Sequence, residues 1–344
     1  MTMKTKLMEV EFAPLFVPLN RRLETLAAAI WISLVVFTGF IGCTSLLYIT
    51  LATRFWWISI LYIIWIFLDR NTACTDKKRF SFIRNWTLWS YYRRYFPVSL
   101  VKTHELSNKR SYIFATFPHG VLCPGVFSNF VTNASTFNTL FPGLESYIIT
   151  LSLSFYLPLH RELSLGLGFR EASEKSLVNL LKGKKGNAVV LLVGGVAEAL
   201  NSYPGPIHLV VNKRKGFVRI ALKTGASLVP VFSYGENYVY EKIKLQPNTI
   251  RDKILKIFTM KDIKFMPNGR GIFQYSFGMV PRRHPIVTVV GKPIDIPKVS
   301  NPSKKEVEKY HKIFVEELVK LFEEHKMKYL KNAENVNLVL DDVE

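Results

Sequence analysis

Three short segments hold residue types that can do chemistry. Phe117-Pro118-His119-Gly120 follows an apolar run, so the proline ends a strand and leaves one imidazole at its tip. An imidazole with an ordinary pKa of about 6.5 takes a proton from a hydroxyl near neutral pH, which makes His119 a candidate general base. On the tetrapeptide alone, a structural histidine in a turn is the simpler reading. Val193-Gly194-Gly195-Val196-Ala197-Glu198 follows a second apolar run and brings a carboxylate one short turn later. Glu198 is expected to hold the His119 imidazole in its useful tautomer and to stabilise the imidazolium. The alternative is a glutamate favoured by the positive end of a helix. Backbone amides around Gly120, Gly194 and Gly195 are candidates for binding an oxyanion. Between Asn212 and Gly225, Arg214, Lys215, Arg219 and Lys223 gather positive charge suited to phosphate groups, or form a solvated basic helix face.

These segments need a scaffold, and the pattern around them supplies one. Short apolar, partly β-branched runs at Tyr112 to Thr116, Ala188 to Val193, Leu228 to Phe232 and Ile286 to Val290 read as buried strands. Longer amphipathic stretches separate them, which predicts one α/β domain. Ser303 with Glu306 three residues on forms a capping-box pattern, followed by Val307, Tyr310, Phe314, Leu318, Leu321 and Phe322 at helical spacing. Residues 141 to 168 are apolar but broken by Pro158, His160, Arg161 and Glu162, a pattern that fits a bilayer surface or a buried core segment.

Residues 26 to 52 carry no charge, and a helix of that length covers roughly 40 Å, enough for a bilayer core of about 30 Å. A second run, Phe55 to Leu68, covers only roughly 21 Å and is expected to dip in and return. A turn near Gly39 and Gly42, with Arg54 snorkelling, is the alternative. Either way residues 26–68 form a membrane-embedded hairpin between an N-terminal segment, 1–25, and a catalytic domain, 69–344. Lys4, Lys6, Arg21 and Arg22 before it and Arg70, Lys77, Lys78 and Arg79 after it place both ends in the cytosol. The sequons Asn85-Trp-Thr and Asn133-Ala-Ser are then unused.

Composition narrows the partners. With 46 Lys and Arg against 26 Asp and Glu, the net charge is +20, while 49% of residues are hydrophobic. That pairing favours a membrane surface over nucleic acid. Three scattered cysteines, Cys43, Cys74 and Cys123, make neither a disulfide framework nor a zinc site. The chain has no Gly-x-Ser-x-Gly elbow, and Gly166-Leu-Gly168 lacks the third glycine of a dinucleotide loop. Histidines 104, 160, 208, 284, 311 and 325 show no metal-ligand spacing and read as surface or core residues.

Tyr95-Phe-Pro97, Pro118-His119-Gly120, Gly194-Gly195 with Glu198, Arg214-Lys-Gly-Phe217, Gly225 through Pro230, Gly235-Glu-Asn237 and Gly269-Arg-Gly271 together resemble the type 2 diacylglycerol acyltransferase family. The likeness runs from about residue 8 to 330. Glu9-Val-Glu-Phe-Ala-Pro-Leu and Asn85-Trp-Thr-Leu-Trp look most like its monoacylglycerol acyltransferase branch. The resemblance implies an endoplasmic reticulum enzyme, with lipid droplets as a further location, that joins acyl-CoA to a glyceride with His119 as the catalytic residue. Acyl-CoA is then a co-substrate whose phosphates meet the basic segment, no cofactor is required, and a homo-oligomer is compatible. Animal members usually read His-Pro-His-Gly, whereas this chain has Phe117 at the first position, a change expected to alter the pocket. The glycerophosphate acyltransferases place Asp five residues after their His, but here Pro124 stands there, which leaves Glu198 as the partner. Diacylglycerol or a long-chain alcohol is the alternative acceptor, and an inactive lipid-surface relative is the reading from a different class.

Overall fold

A computed structural model describes residues 10–77, 79–183, 185–244 and 265–341. Lys4, Lys6 and Lys78, which contribute to the expected flanking charge, lie outside the described residues.

The chain enters through a 34-residue helix, α1 (Leu19–Ala52), turns at residues 53–55 and continues into α2 (Trp56–Leu68). Among the described residues α1 is the helix long and apolar enough to cross a membrane. It runs straight through Gly39 and Gly42, so the turn expected as an alternative at these glycines is not made. They serve helix packing instead. A Cβ on Gly42 would stand 2.1 Å from the Pro158 carbonyl oxygen, and one on Gly39 would stand 2.9 Å from the Leu157 side chain. The outer half of α1 lies against α2, where the Ser59 hydroxyl donates to the Leu46 carbonyl at 3.3 Å. Phe40, Leu47, Leu51, Phe67 and Leu68 remain exposed on this pair.

After two short helices, α3 (Ser81–Arg84) and α4 (Thr87–Tyr95), the chain builds its main sheet. The strands are β1 (Val98–Lys102), β2 (Tyr112–Phe117), β3 (Glu145–Thr150), β4 (Phe169–Glu171), β5 (Asn187–Leu192), β7 (Ser227–Tyr234) and β10 (Ile286–Val290). Their order is β1-β10-β7-β2-β5-β3-β4. β7, β2, β5, β3 and β4 run parallel, whereas β10 is antiparallel to β7. Two small ladders stand outside this sheet: β6 (Ile207–Leu209) with β11 (Leu338–Leu340), and β8 (Glu241–Lys244) with β9 (Phe265–Asn268). All four expected strands are present, within one or two residues of their expected ends. The edge strands β1 and β4, and β3 inside the 141–168 stretch, were not expected.

Strand alternation sends side chains to two cores. Tyr112 and Phe114 of β2 join one, and Ile113, Ala115 and Phe117 join the other. On the first face lie the inner half of α1 and α4, where Trp31 stacks on Phe127 at 3.7 Å and meets Trp89 edge-on at 5.6 Å. The inner half of α1 is therefore part of the domain core. The second face carries α8 (Glu174–Lys182), α10 (Gly216–Thr224) and α11 (Lys304–Tyr329), with Phe217, Phe314 and Phe322 buried against the sheet. Ser303 and Glu306 make the expected reciprocal cap at the start of α11.

The 141–168 stretch is partly the expected buried core segment and partly an exposed apolar surface. β3 is core, while Leu151, Leu153, Tyr156 and Leu159 are exposed beside the α1–α2 pair. Two short helices, α5 (Pro124–Val126) and α6 (Phe137–Leu140), precede β3, and α7 (His160–Leu167) after it fastens that pair to the domain. His160 Nδ1 meets Thr38 Oγ1 at 2.8 Å, Tyr62 donates to Glu162 at 2.5 Å, and Arg161 pairs with Asp69. Because Gly42 sits against backbone that cannot swing aside, Gly42→Val should cost about 1–3 kcal/mol and loosen this junction. Thermal unfolding of the detergent-solubilised protein checks this, with unchanged stability as the contrary result.

Candidate active site at the carboxyl ends of the parallel strands

In sheets of parallel strands, ligand sites form outside the carboxyl ends, where the connecting loops diverge. Three such loops meet here. β2 leads into His119, β5 into Gly194 and Gly195 at the start of α9 (Gly195–Ala199), and β7 into Gly235, Glu236 and Asn237.

His119 is held from the backbone outward. Its N–H donates to Glu198 Oε1 at 2.5 Å, and its Nδ1 lies 2.8 Å from the Gly120 carbonyl oxygen. A carbonyl only accepts, so Nδ1 carries the proton and Nε2 is the basic nitrogen. Burial lowers the imidazole pKa below its usual value, which keeps the ring neutral near pH 7. The Cys123 thiol donates to the His119 carbonyl at 2.7 Å and braces the same turn.

Glu198 does not contact the imidazole, contrary to the sequence expectation. Its carboxyl group is fully buried and accepts the backbone N–H groups of His119 and Val210, the latter at 2.8 Å. The Glu198 side chain thus joins the loop after β2 to the segment after β6 instead of orienting the ring. Gly194 makes this possible, since a Cβ there would stand 2.2 Å from Glu198 Oε2. Burial pushes the Glu198 pKa up to about 7, against the two amide bonds that favour the carboxylate.

A second buried acid was missed. Glu236 is 1% exposed and accepts the Gly125 N–H at 2.8 Å. Its other oxygen has no hydrogen-bond partner and lies behind Gly120, 3.2 Å from where a Cβ would be. Burial raises its pKa to about 8. Glu236 follows a buried strand and a glycine, much as Glu198 does, and that shared pattern was the available signal. The turn carrying His119 is therefore held at both ends by buried carboxyl groups, Glu198 at His119 and Glu236 at Gly125.

In front of this turn lies an apolar cavity of about 550 Å³. His119 and Gly195 form part of its wall, with Trp31 and Val35 of α1 and Leu151 and His160 beyond β3. Gly120, Gly194 and Glu198 stand behind that wall. Arg214, Lys215, Arg219 and Lys223 do not reach the cavity. They lie on α10 or at its start, on the other face of the sheet, where Lys215 pairs with Glu308 at 3.4 Å and Lys223 with Glu174 at 2.6 Å. Phe117, expected to alter the pocket, does not line it: its ring is buried on the second face beside Phe314. His160 is the other residue missed: its place in the cavity wall depends on how α7 meets α1, which no local spacing reveals.

A neutral imidazole in the wall of an apolar cavity, at the strand ends of an α/β sheet, suits general-base chemistry on an apolar substrate. The chain belongs to the diacylglycerol acyltransferase family, whose model, described as "Diacylglycerol acyltransferase", matches residues 48–341. It is 42% identical to the 2-acylglycerol O-acyltransferase 1 of Bos taurus over 94% of this chain and 97% of that one. It is 43% identical to the diacylglycerol O-acyltransferase 2 of Dictyostelium discoideum over 92% of this chain and 96% of that one. The solved 1-acyl-sn-glycerophosphate acyltransferase PlsC of Thermotoga maritima covers 91% of this chain, and 98% of its own length is matched. At 15% identity and a TM-score of 0.41 it bears on nothing further.

Both acids have raised pKa values, so the folded chain holds more protons than the unfolded chain between about pH 4.5 and pH 7 to 8. Their contribution to stability is complete below pH 4.5 and is lost as pH rises through that window, by roughly 3 kcal/mol for Glu198. Glu198→Gln and Glu236→Gln should each lower stability yet flatten its fall between pH 5 and 8. Unfolding midpoints measured across pH check this, and an unchanged slope in both variants would contradict it.

Proposed function

We propose that this chain is an acyl-CoA-dependent O-acyltransferase that converts monoacylglycerol to diacylglycerol on the route to triacylglycerol, with His119 as the general base. The observation that carries the reading is the free Nε2 of a neutral His119 in an apolar cavity wall, in a chain of this family. Nε2 takes the proton of the acceptor hydroxyl as its oxygen attacks the thioester carbonyl. The tetrahedral intermediate then collapses, the C–S bond breaks, and the imidazolium returns the proton to the leaving sulfur, giving the ester and free coenzyme A. No acyl-enzyme is needed. Of the expected oxyanion donors, the Gly195 amide is best placed, as the first residue of α9 and part of the cavity wall. Glu198 acts as a positioning residue in this scheme.

Acyl-CoA and a glyceride or alcohol acceptor are the partners in this reading. The exposed apolar α1–α2 pair and the Leu151 to Leu159 segment enter the bilayer, so that the acyl chain reaches the cavity without crossing water. The endoplasmic reticulum membrane and lipid droplets, with the catalytic domain in the cytosol, are the proposed setting. Arg214, Lys215, Arg219 and Lys223 are the proposed contacts for the coenzyme outside the cavity. Diacylglycerol is the second acceptor to consider, because the two named relatives differ in acceptor while nearly equal in identity.

Purified protein given labelled acyl-CoA with monoacylglycerol, diacylglycerol and long-chain alcohol separates these acceptors, and monoacylglycerol should be used best. His119→Ala should lower kcat/KM by roughly 10²–10⁴-fold. Since the base must be unprotonated and its pKa is lowered, wild-type activity should fall only as pH drops below about 6.5. Transfer to none of the acceptors would end the enzyme reading, and a fully active His119→Ala would end the mechanism.

A further inference from the structure

A second concavity, of about 510 Å³, lies where α1 begins and α4 ends, and its chemistry is opposite to that of the apolar cavity. Arg21, Arg93 and Arg94 line it, with Glu24 as the one acid in the wall. Glu24 is already claimed. The Arg283 guanidinium hydrogen-bonds its Oε2, and Arg21 and Arg94 approach its carboxylate only to 3.9 and 3.8 Å. Three guanidinium groups thus share one carboxylate, and a fourth, that of Arg93, stands beside them.

Arg93 is fixed in place by the backbone. Its Nε donates to the Val98 carbonyl at 3.1 Å and its Nη1 to the Ala134 carbonyl at 3.0 Å, while it has no acidic partner among the described residues. Arg94 lies over the Tyr91 ring at 4.5 Å, and both Arg94 and Arg21 keep about half their side-chain surface in contact with solvent. Three cations converging on a concave wall repel one another unless an anion joins them, and guanidinium forks match the oxygens of a phosphate group. The first turn of α1 adds to the positive field, having neither an acidic residue nor a side-chain cap.

We propose that this concavity is a binding site for a phosphate group, held by Arg21, Arg93 and Arg94. Two sources share that chemistry: the headgroup of an anionic phospholipid and a phosphate of coenzyme A. The exposed Leu15, Phe16 and Leu19 beside Arg21 would suit a lipid lying with its phosphate in the pocket. Phosphate binding itself stands independently of the proposed acyl transfer.

The test uses the full chain purified in neutral detergent, titrated calorimetrically with dihexanoyl phosphatidic acid, with free coenzyme A and with inorganic phosphate. Arg21→Gln/Arg94→Gln should weaken binding at least roughly tenfold, about 1.4 kcal/mol. Lys312→Gln/Lys320→Gln, which removes the same charge from the exposed face of α11, should leave binding unchanged. Loss for phosphatidic acid alone assigns the site to a lipid headgroup. Loss for coenzyme A, with a raised KM for acyl-CoA at constant kcat, assigns it to the co-substrate. If none of the probes binds the wild type, or if both double variants weaken binding equally, the site does not exist as proposed. Unchanged melting temperatures in the variants exclude misfolding as the cause of a loss.

Discussion

The geometry of the site depends on two carboxyl groups that never enter it. Glu198 and Glu236 are buried after the ends of β5 and β7, and each accepts a backbone N–H of the turn that carries His119. A buried carboxyl group is costly to leave unpaired, so once the strands form, the amides of His119 and Gly125 are drawn to it. The glycines around the turn follow from this need. Gly194 leaves room for Glu198, and Gly120 lies at a positive φ of 64° directly in front of Glu236. The imidazole itself is then oriented by its own neighbour, the Gly120 carbonyl, which settles the tautomer without a carboxylate partner.

The apolar N-terminal helices are not an appendage to this arrangement. Trp31 of α1 is wedged among Trp89, Tyr92 and Phe127, so the helix that leads out of the domain also forms one wall of its cavity. Farther along the same helix, Gly39 and Gly42 accept the turn before α7, and Thr38 meets His160. A change in the seating of the hairpin would thus be felt as a change in the cavity. The α1–α2 pair and the turn that carries His119 are thus joined through one set of packed side chains.

Much of this was legible in the sequence, and the reasons differ by element. β2, β5, β7 and β10 are short apolar runs bounded by glycine, proline or polar residues, a local signal, and the cap at Ser303 and Glu306 is equally local. β3 was hidden because it lies inside a longer apolar stretch where periodicity does not separate strand from helix. His119 and Gly195 were placed correctly at strand ends, since that inference needs only the strand boundary. The partnership of Glu198 with the ring was not, because which atom of a loop a buried carboxyl group reaches depends on tertiary packing. Phe117 shows the same limit in a simpler way. As the last residue of a strand it points to one face or the other, and the sequence pattern alone did not say that its face is the one away from the cavity.

The central claim is that His119 Nε2 takes the proton of the acceptor hydroxyl, and chemical rescue tests it most directly. His119→Ala removes the ring but leaves the backbone N–H that Glu198 accepts, so the turn is expected to persist. Exogenous imidazole should then restore part of the acyl transfer to monoacylglycerol, rising with the concentration of neutral imidazole as pH increases. A His119→Ala protein that is folded and binds acyl-CoA, yet gains nothing from imidazole at any pH or needs no rescue because it is fully active, would contradict the account.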